Sequence, residues 1–203
     1  MKLYSMVPQD CSGKVRWLLM ELGVSFEEKK LSFKAGDLKA ESYLAKHPMG
    51  QVPVLEDGNT TIYESYAIVA YLADKYIECG LAPDPKNIED RGQYYKWLFF
   101  SSNTAEGFFS KLQKLPKMNE DYRQEWGDYI QDKVQKTLLI IEKQLTDRDY
   151  ILGKFSAVDT CLGYALDAIV DEPFFKDFPR TQGYYSRLCQ REACQRSEIF
   201  KRS

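Results

Sequence analysis

The sequence holds a single histidine, His47. One imidazole is a poor supply for a zinc site built from histidine and cysteine, and any nucleophile–histidine pair would have to use it. Cysteine is sparse as well. The five residues Cys11, Cys79, Cys161, Cys189 and Cys194 make an odd number and include no C-x-x-C pair. No disulfide framework is expected, and thiols in a reducing compartment fit better. Neither sign of charge dominates: 28 Lys and Arg face 30 Asp and Glu, a formal net charge of -2. Without a basic surplus, nucleic acid is not an expected partner. No apolar run reaches the length needed to cross a bilayer, and the start, Met1 to Lys14, lacks the charged-then-apolar layout of a secretion signal. The expectation is a cytoplasmic protein without a membrane partner. Internal repeats and low-complexity tracts are missing too.

What is present is an ordinary globular composition, 44% hydrophobic and 29% charged over 203 residues, enough for one large domain or two small ones. Lys2 to Met6 alternates apolar and polar residues and predicts a strand. A loop containing Pro8 follows. Val15, Trp17, Leu18, Leu19 and Leu22 then recur at helical spacing, and Gly23 suits the residue just past a helix end. Phe26 to Leu31 predicts a second strand, so the chain opens β-α-β, which favours parallel strands with a right-handed crossover. Val52 to Glu56 reads as a strand interrupted by Pro53. Asp57-Gly58 is a hairpin turn signal, Thr60 to Tyr63 the returning strand, and Glu64-Ser65 the start of a helix carrying Ala67, Ile68, Tyr71 and Leu72. Glu78 to Ile88, with Gly80, Pro83 and Pro85, predicts a linker. Beyond it the patterns are helical, over Asp90 to Lys114, Tyr122 to Leu145, Ser156 to Val170 and Thr181 to Cys194. The third of these is apolar nearly all round, as a central buried helix would be.

Three features carry possible chemistry. Pro53 cannot donate to a ladder. A cis Val52-Pro53 bond would turn the N–H and C=O of Val52 outward, where an extended peptide can pair as an added strand. Taken alone, Pro53 is equally an edge-strand proline. Glu64-Ser65 sits where unpaired amides and the helix dipole attract an anion, with Ser65 able to donate to a carboxylate and Glu64 to accept from an ammonium. A plain helix cap has the same residues. Cys11-Ser12 precedes the first helix, where a thiol is acidified and a hydroxyl can donate to a bound thiolate. An N-cap serine beside a small buried thiol explains that pair as well.

Together these residues resemble the soluble glutathione transferase family, with its bacterial beta and zeta classes nearest. LYSMVPQDCSGKVRWLLMELG is similar to the family's opening, and YLAKHPMGQVPVLEDGNTTIYESYAIVAYLADKY to its glutathione-binding signature. ILGKFSAVDTCLGYAL is similar to the start of its buried helix, with Ser156 and Asp159 as an S-x-x-D capping box and Phe155 as a staple residue. The resemblance implies an α/β plus all-α protein. A thioredoxin-like N-terminal domain with a mixed four-stranded sheet would span 1–78, and an all-helical domain lining the electrophile site would span 88–203. It further implies a cis Pro53, Val52 pairing with the cysteinyl backbone of glutathione, and Glu64 and Ser65 at the γ-glutamyl end. Gln51 and Lys34 would serve the glycyl carboxylate and flanking contacts. Cys11 or Ser12 would activate the thiol, with Ser5 and Tyr4 as further hydroxyls, and Tyr94, Trp97, Asn103 and Phe108 would wall the electrophile pocket. Glutathione would be the co-substrate, with no metal, a small hydrophobic electrophile as the other partner, and a homodimer as the assembly. The alternatives are a glutathione-dependent reductase or isomerase using Cys11, and a non-catalytic binding or regulatory protein of the same fold. The sequence departs from the class patterns at Gln9 and Asp10, where the zeta class has its activating serine. It departs also at Asn103 to Glu106, where the beta class has a His-Lys pair, and at His47, which replaces an asparagine.

Overall fold

The computed structural model describes residues 1–200. Its contacts divide the chain into two compact units, Ala82–Leu188 and a unit formed by Met1–Leu81 with the segment that begins at Cys189. The boundaries expected from sequence, 1–78 and 88–203, kept that last segment with the helical part.

The first unit is built on strands β1 (Lys2–Ser5), β2 (Glu27–Lys30), β3 (Val54–Asp57) and β4 (Thr60–Tyr63), in the order β2-β1-β3-β4. β1 runs parallel to β2 and antiparallel to β3, so the sheet is mixed. The parallel step requires a crossover, supplied by α1 (Ser12–Glu21). α1 ends where Gly23 takes a φ of 66°. The Gly23 N–H then bonds the Met20 carbonyl and the Val24 N–H bonds the Leu19 carbonyl, the double closure that a left-handed residue after a helix permits. Asp57 pairs with Thr60 across a two-residue turn whose first member, Gly58, also has positive φ. α2 (Glu41–Leu44) and α3 (Ser65–Lys75) complete the expected thioredoxin-like arrangement.

β1 is an inner strand, and Leu3, Tyr4 and Ser5 are all buried. Alternation sends Tyr4 to the α2 face of the sheet, where it packs with Leu31, Tyr43 and Val54. The strand expected over Val52 to Glu56 begins two residues later, at Val54, because Pro53 has no N–H for the ladder and stays ahead of it.

The single helix expected over Thr181 to Cys194 is two helices: α8 (Pro179–Cys189), and α9 (Glu192–Ser197), which belongs to the first unit. Arg191 breaks the run with an extended backbone and pairs its guanidinium with Glu21 of α1 at 2.6 and 2.8 Å. The ring of Phe200 meets Trp17 edge-on at 5.8 Å.

The helical unit contains α4 (Ile88–Phe99), α5 (Gly107–Lys114), α6 (Glu120–Gln144), α7 (Ala157–Asp167) and α8. The continuous helix expected from Asp90 to Lys114 is interrupted by a π-helical stretch over Phe100–Glu106. There the hydroxyls of Ser101 and Ser102 donate back to the carbonyls of Trp97 and Phe99, a competition that loosens the regular ladder. α7 packs against this stretch and is buried along most of its length. Ser156 and Asp159 form the expected capping box at its start. Asp159 also accepts from the Ile151 N–H at 3.3 Å and the Tyr184 hydroxyl at 2.8 Å. Burial pushes its carboxyl up to about 6, against the pull of those hydrogen bonds. Glu142 of α6 caps α8, accepting from the N–H groups of Arg180 and Thr181. Among the described residues no helix is long and apolar enough to cross a membrane.

Candidate functional site

The sheet register fixes what lies together. Tyr4 of β1 pairs with Val54, and Val54 pairs with Tyr63. The C-terminal end of β1, the entry to β3 and the exit of β4 therefore share one end of the sheet. Three segments leave from that end: the loop through Cys11, the Val52-Pro53 pair, and Glu64-Ser65. The first turns of α1 and α3 are tied by the Lys14 ammonium, 4.2 Å from the centre of the Tyr66 ring. β2, parallel to β1, also ends there, and Leu31 N–H bonds the Ser5 carbonyl at 2.7 Å. The turn carrying Lys34 follows, with its side chain exposed.

Val52-Pro53 is cis, with Pro53 buried and Val52 half-buried. The preceding backbone is held from behind: the Tyr43 hydroxyl donates to the Gln51 carbonyl at 2.6 Å. Gly50 sits at φ 59° with its Cα so near the Leu38 carbonyl that an added Cβ would collide with the oxygen. The Gln51 side chain is exposed.

Glu64 is exposed and holds φ 71°, ψ 109°, a conformation that costs a residue with a Cβ on the order of 1–3 kcal/mol. It is the residue before α3, no side chain caps that helix, and its first turn has no acidic residue. The first amides of α3, beginning at the buried Ser65, thus have no intrahelical acceptor and face an electrostatically positive end.

The loop before α1 is organised by Asp10. One carboxylate oxygen accepts from the N–H groups of Met6 and Val7 at 2.8 and 2.9 Å. The other accepts from the Ser12 N–H at 2.7 Å and from the Ser12 hydroxyl. Ser12 is fully buried. Its oxygen takes a longer bond, 3.4 Å, from Arg16, whose guanidinium also pairs with Glu28 and reaches the carbonyls of Pro8 and Ser197. Cys11 lies at the N-cap of α1, half-buried, between the two residues of this knot. Tyr4 is committed elsewhere. Its hydroxyl donates to Glu56 at 2.8 Å, and burial together with that carboxylate pushes it up to about 12.

Residues 1–74 match the family described as glutathione S-transferase, N-terminal domain. Glutathione S-transferase F10 of Arabidopsis thaliana is 30% identical over 189 residues, covering 86% of each chain. The chain belongs to the glutathione S-transferase family. The solved ternary complex of BphK, a bacterial glutathione S-transferase, is 30% identical, with a TM-score of 0.81 and 97% of each chain covered. A glutathione transferase from Pseudomonas putida, crystallised with one glutathione disulfide per subunit, shares the fold. It has a TM-score of 0.84 at 23% identity, over 97% of this chain and 89% of that one.

Within this glutathione S-transferase family member, the sequence reading missed the residues that hold the site from behind. Asp10 stood out there only as a departure from class patterns; its spacing of two before Ser12 was the available signal for an Asx-type knot. Tyr43 and Arg16 gave none, because the partner of one is a backbone carbonyl and those of the other, Glu28 and the Ser197 carbonyl among them, lie far along the chain. Of the four residues expected to wall an electrophile pocket, Tyr94 and Trp97 are buried in the helical unit, Asn103 is exposed, and Phe108 stacks edge-on with Tyr129. Among the described residues no cluster of three or more His, Cys, Asp or Glu side chains is placed to hold a metal ion.

Proposed function

We propose that this glutathione transferase ionises the thiol of glutathione and directs it at small hydrophobic electrophiles. The observation that carries the reading is the convergence, at one end of one sheet, of a cis Val52-Pro53 bond, a strained Glu64 at an uncapped helix start, and a half-buried Cys11. Val52 pairs with the cysteinyl backbone as an added strand would. Ser65 and the first amides of α3 take the γ-glutamyl carboxylate, and Glu64 takes its ammonium. Gln51 and Lys34 serve the glycyl end.

Cysteine thiols have a reference pKa of about 8.5. At the start of α1, Cys11 and the helix dipole favour the ionised form. The thiolate sulfur then forms the new bond to the electrophilic atom, the leaving group departs with the electrons of the broken bond, and the thiol proton passes to water. Cys11 is preferred over Ser12 as the activating residue, since the hydroxyl proton of Ser12 is already given to Asp10. The C-S spacing favours a beta-class relative, with the protein working in the cytoplasm as a homodimer. Exposed Met49 and Tyr63 in one unit and exposed Phe99 and Ile140 in the other supply apolar surface for that assembly.

The test is retention on immobilised glutathione followed by turnover of a generic aryl halide. Absence of both, with no protection by glutathione against heating, overturns the reading. The half-buried thiol at an N-cap favours a second reading, in which Cys11 takes one half of a disulfide substrate and glutathione removes it. Turnover of a disulfide but not an aryl halide, abolished by Cys11→Ala, would select it. Light scattering at micromolar concentration tests the assembly, and a monomeric mass refutes it.

A further inference from the structure

We propose that Asp10 is the positioning residue of the thiol-activating loop, and that Ser12 is a strut of that device and not a donor to the thiolate. The inference rests on the reading of Cys11 as the activating residue and deepens it. Asp10 gathers the N–H groups of Met6, Val7 and Ser12 and the Ser12 hydroxyl onto one carboxylate. A carboxylate that collects donors from both sides of a residue fixes the backbone at that residue. Here the residue so enclosed is Cys11, and its φ and ψ of -58° and -16° are already helical.

The device has a second anchor. Arg16 spans from the Ser12 hydroxyl to the carbonyls of Pro8 and Ser197 and to Glu28. Gln9 donates to the Glu198 carbonyl at 3.0 Å. Gly13 leaves no room for movement: a Cβ there would meet the Pro8 carbonyl at 2.6 Å and Ile199 at 2.9 Å. The loop is thus pinned on both flanks, and Asp10 ties its two halves to each other from within the loop itself.

That placement gives the test a signature that simple loss of structure does not share. In the full chain, the rate of Cys11 alkylation by iodoacetamide at one fixed pH is followed by mass spectrometry of the Cys11 peptide, without glutathione, beside the urea midpoint of unfolding. Asp10→Asn keeps one acceptor oxygen and loses the other; Asp10→Ala frees all four donors. In Asp10→Ala the alkylation rate is expected to rise by about threefold or more as the loop opens locally, with the urea midpoint little changed. In the same variant kcat/KM for glutathione is expected to fall by about tenfold, because the thiol is misplaced, and Asp10→Asn falls between it and the parent. Ser12→Ala, which removes only the strut, lowers kcat/KM by no more than about threefold. An unchanged alkylation rate in Asp10→Ala overturns the proposal, as does a Ser12→Ala loss exceeding that of Asp10→Ala. If the parent itself conjugates nothing, the alkylation rate still decides: a raised rate upholds the positioning role while the transferase reading fails.

Discussion

In the sheet unit, the features that point to a ligand are features of the main chain. Pro53 turns the peptide before β3, Glu64 holds a backbone that few side-chain-bearing residues adopt, and Gly50 accepts a close carbonyl. In the helical unit the main chain is nearly all helix, and the interesting groups are side chains committed to structure: the buried Asp159, Ser156 and Tyr184, and the half-buried Glu142. The contrast teaches where each kind of substitution should register. Changes at the sheet end should alter binding with small effects on folding, and changes in the helical capping network should alter folding with small effects on binding.

The largest effect expected is in the capping network. Asp159→Ala leaves the N–H groups of Ser156 and Ile151 and the Tyr184 hydroxyl without their shared acceptor inside a dry core. It should cost about 3–5 kcal/mol in chemical denaturation. The glutathione affinity of the protein that remains folded should be unchanged; a large loss there would break the division between the units.

Next in size is a response to pH that differs between the units. The Asp159 carboxyl rises from 3.8 to about 6 on folding. Its contribution therefore favours the folded state below 3.8 and is lost as pH rises through 6, a change of up to about 3 kcal/mol. In the sheet unit the signs reverse. Lys46 holds Glu56 below its usual value, and Lys75 does the same for Asp57. Their contribution is present at neutral pH and is lost as pH falls below about 4. Hydrogen exchange of peptides from each unit should show the helical one loosening between pH 4 and 6 while the sheet unit holds steady. Asp159→Asn should flatten that slope, and persistence of the slope would refute the assignment.

Smaller still is Ser65→Ala. Loss of one hydrogen bond to a charged group should weaken glutathione binding about tenfold by calorimetry, while unfolding shifts by less than about 1 kcal/mol. Equal losses in both would show that Ser65 serves chiefly as a cap. The smallest expected effect is that of Tyr4→Phe, which removes the bond to Glu56. It should cost about 1 kcal/mol of stability and leave turnover unchanged. A fall in turnover would return Tyr4 to the list of activating groups.

What the sequence disclosed follows the same line. Turn chemistry and capping are local, so Asp57-Gly58, Gly23 and the Ser156–Asp159 box were readable from a few neighbours. Pro53 was readable because a proline has one constraint wherever it stands. Contacts over long separations were not. The Tyr43 hydroxyl on the Gln51 carbonyl, the reach of Arg16 to Ser197, and the return of α9 to the first unit depend on which surfaces the fold brings together. Helical spacing likewise could not reveal the π-helical stretch at Phe100–Glu106, since Tyr94, Trp97 and Leu98 before it and Phe108 and Leu112 after it keep a helical rhythm, and the serine hydroxyls within it turn back on the helix.

The pairing of Glu21 with Arg191 spans 170 residues. A ribosome therefore delivers the sheet and its first helix long before the piece that covers that helix. At roughly 5–20 residues per second, the interval is on the order of 10–30 seconds. Throughout that time Trp17 and its neighbours on α1 lack the cover that Phe200 later supplies, and the entire helical unit is made in between. The nascent chain must pass through a stage in which the loop through Cys11 exists but is held on one flank only.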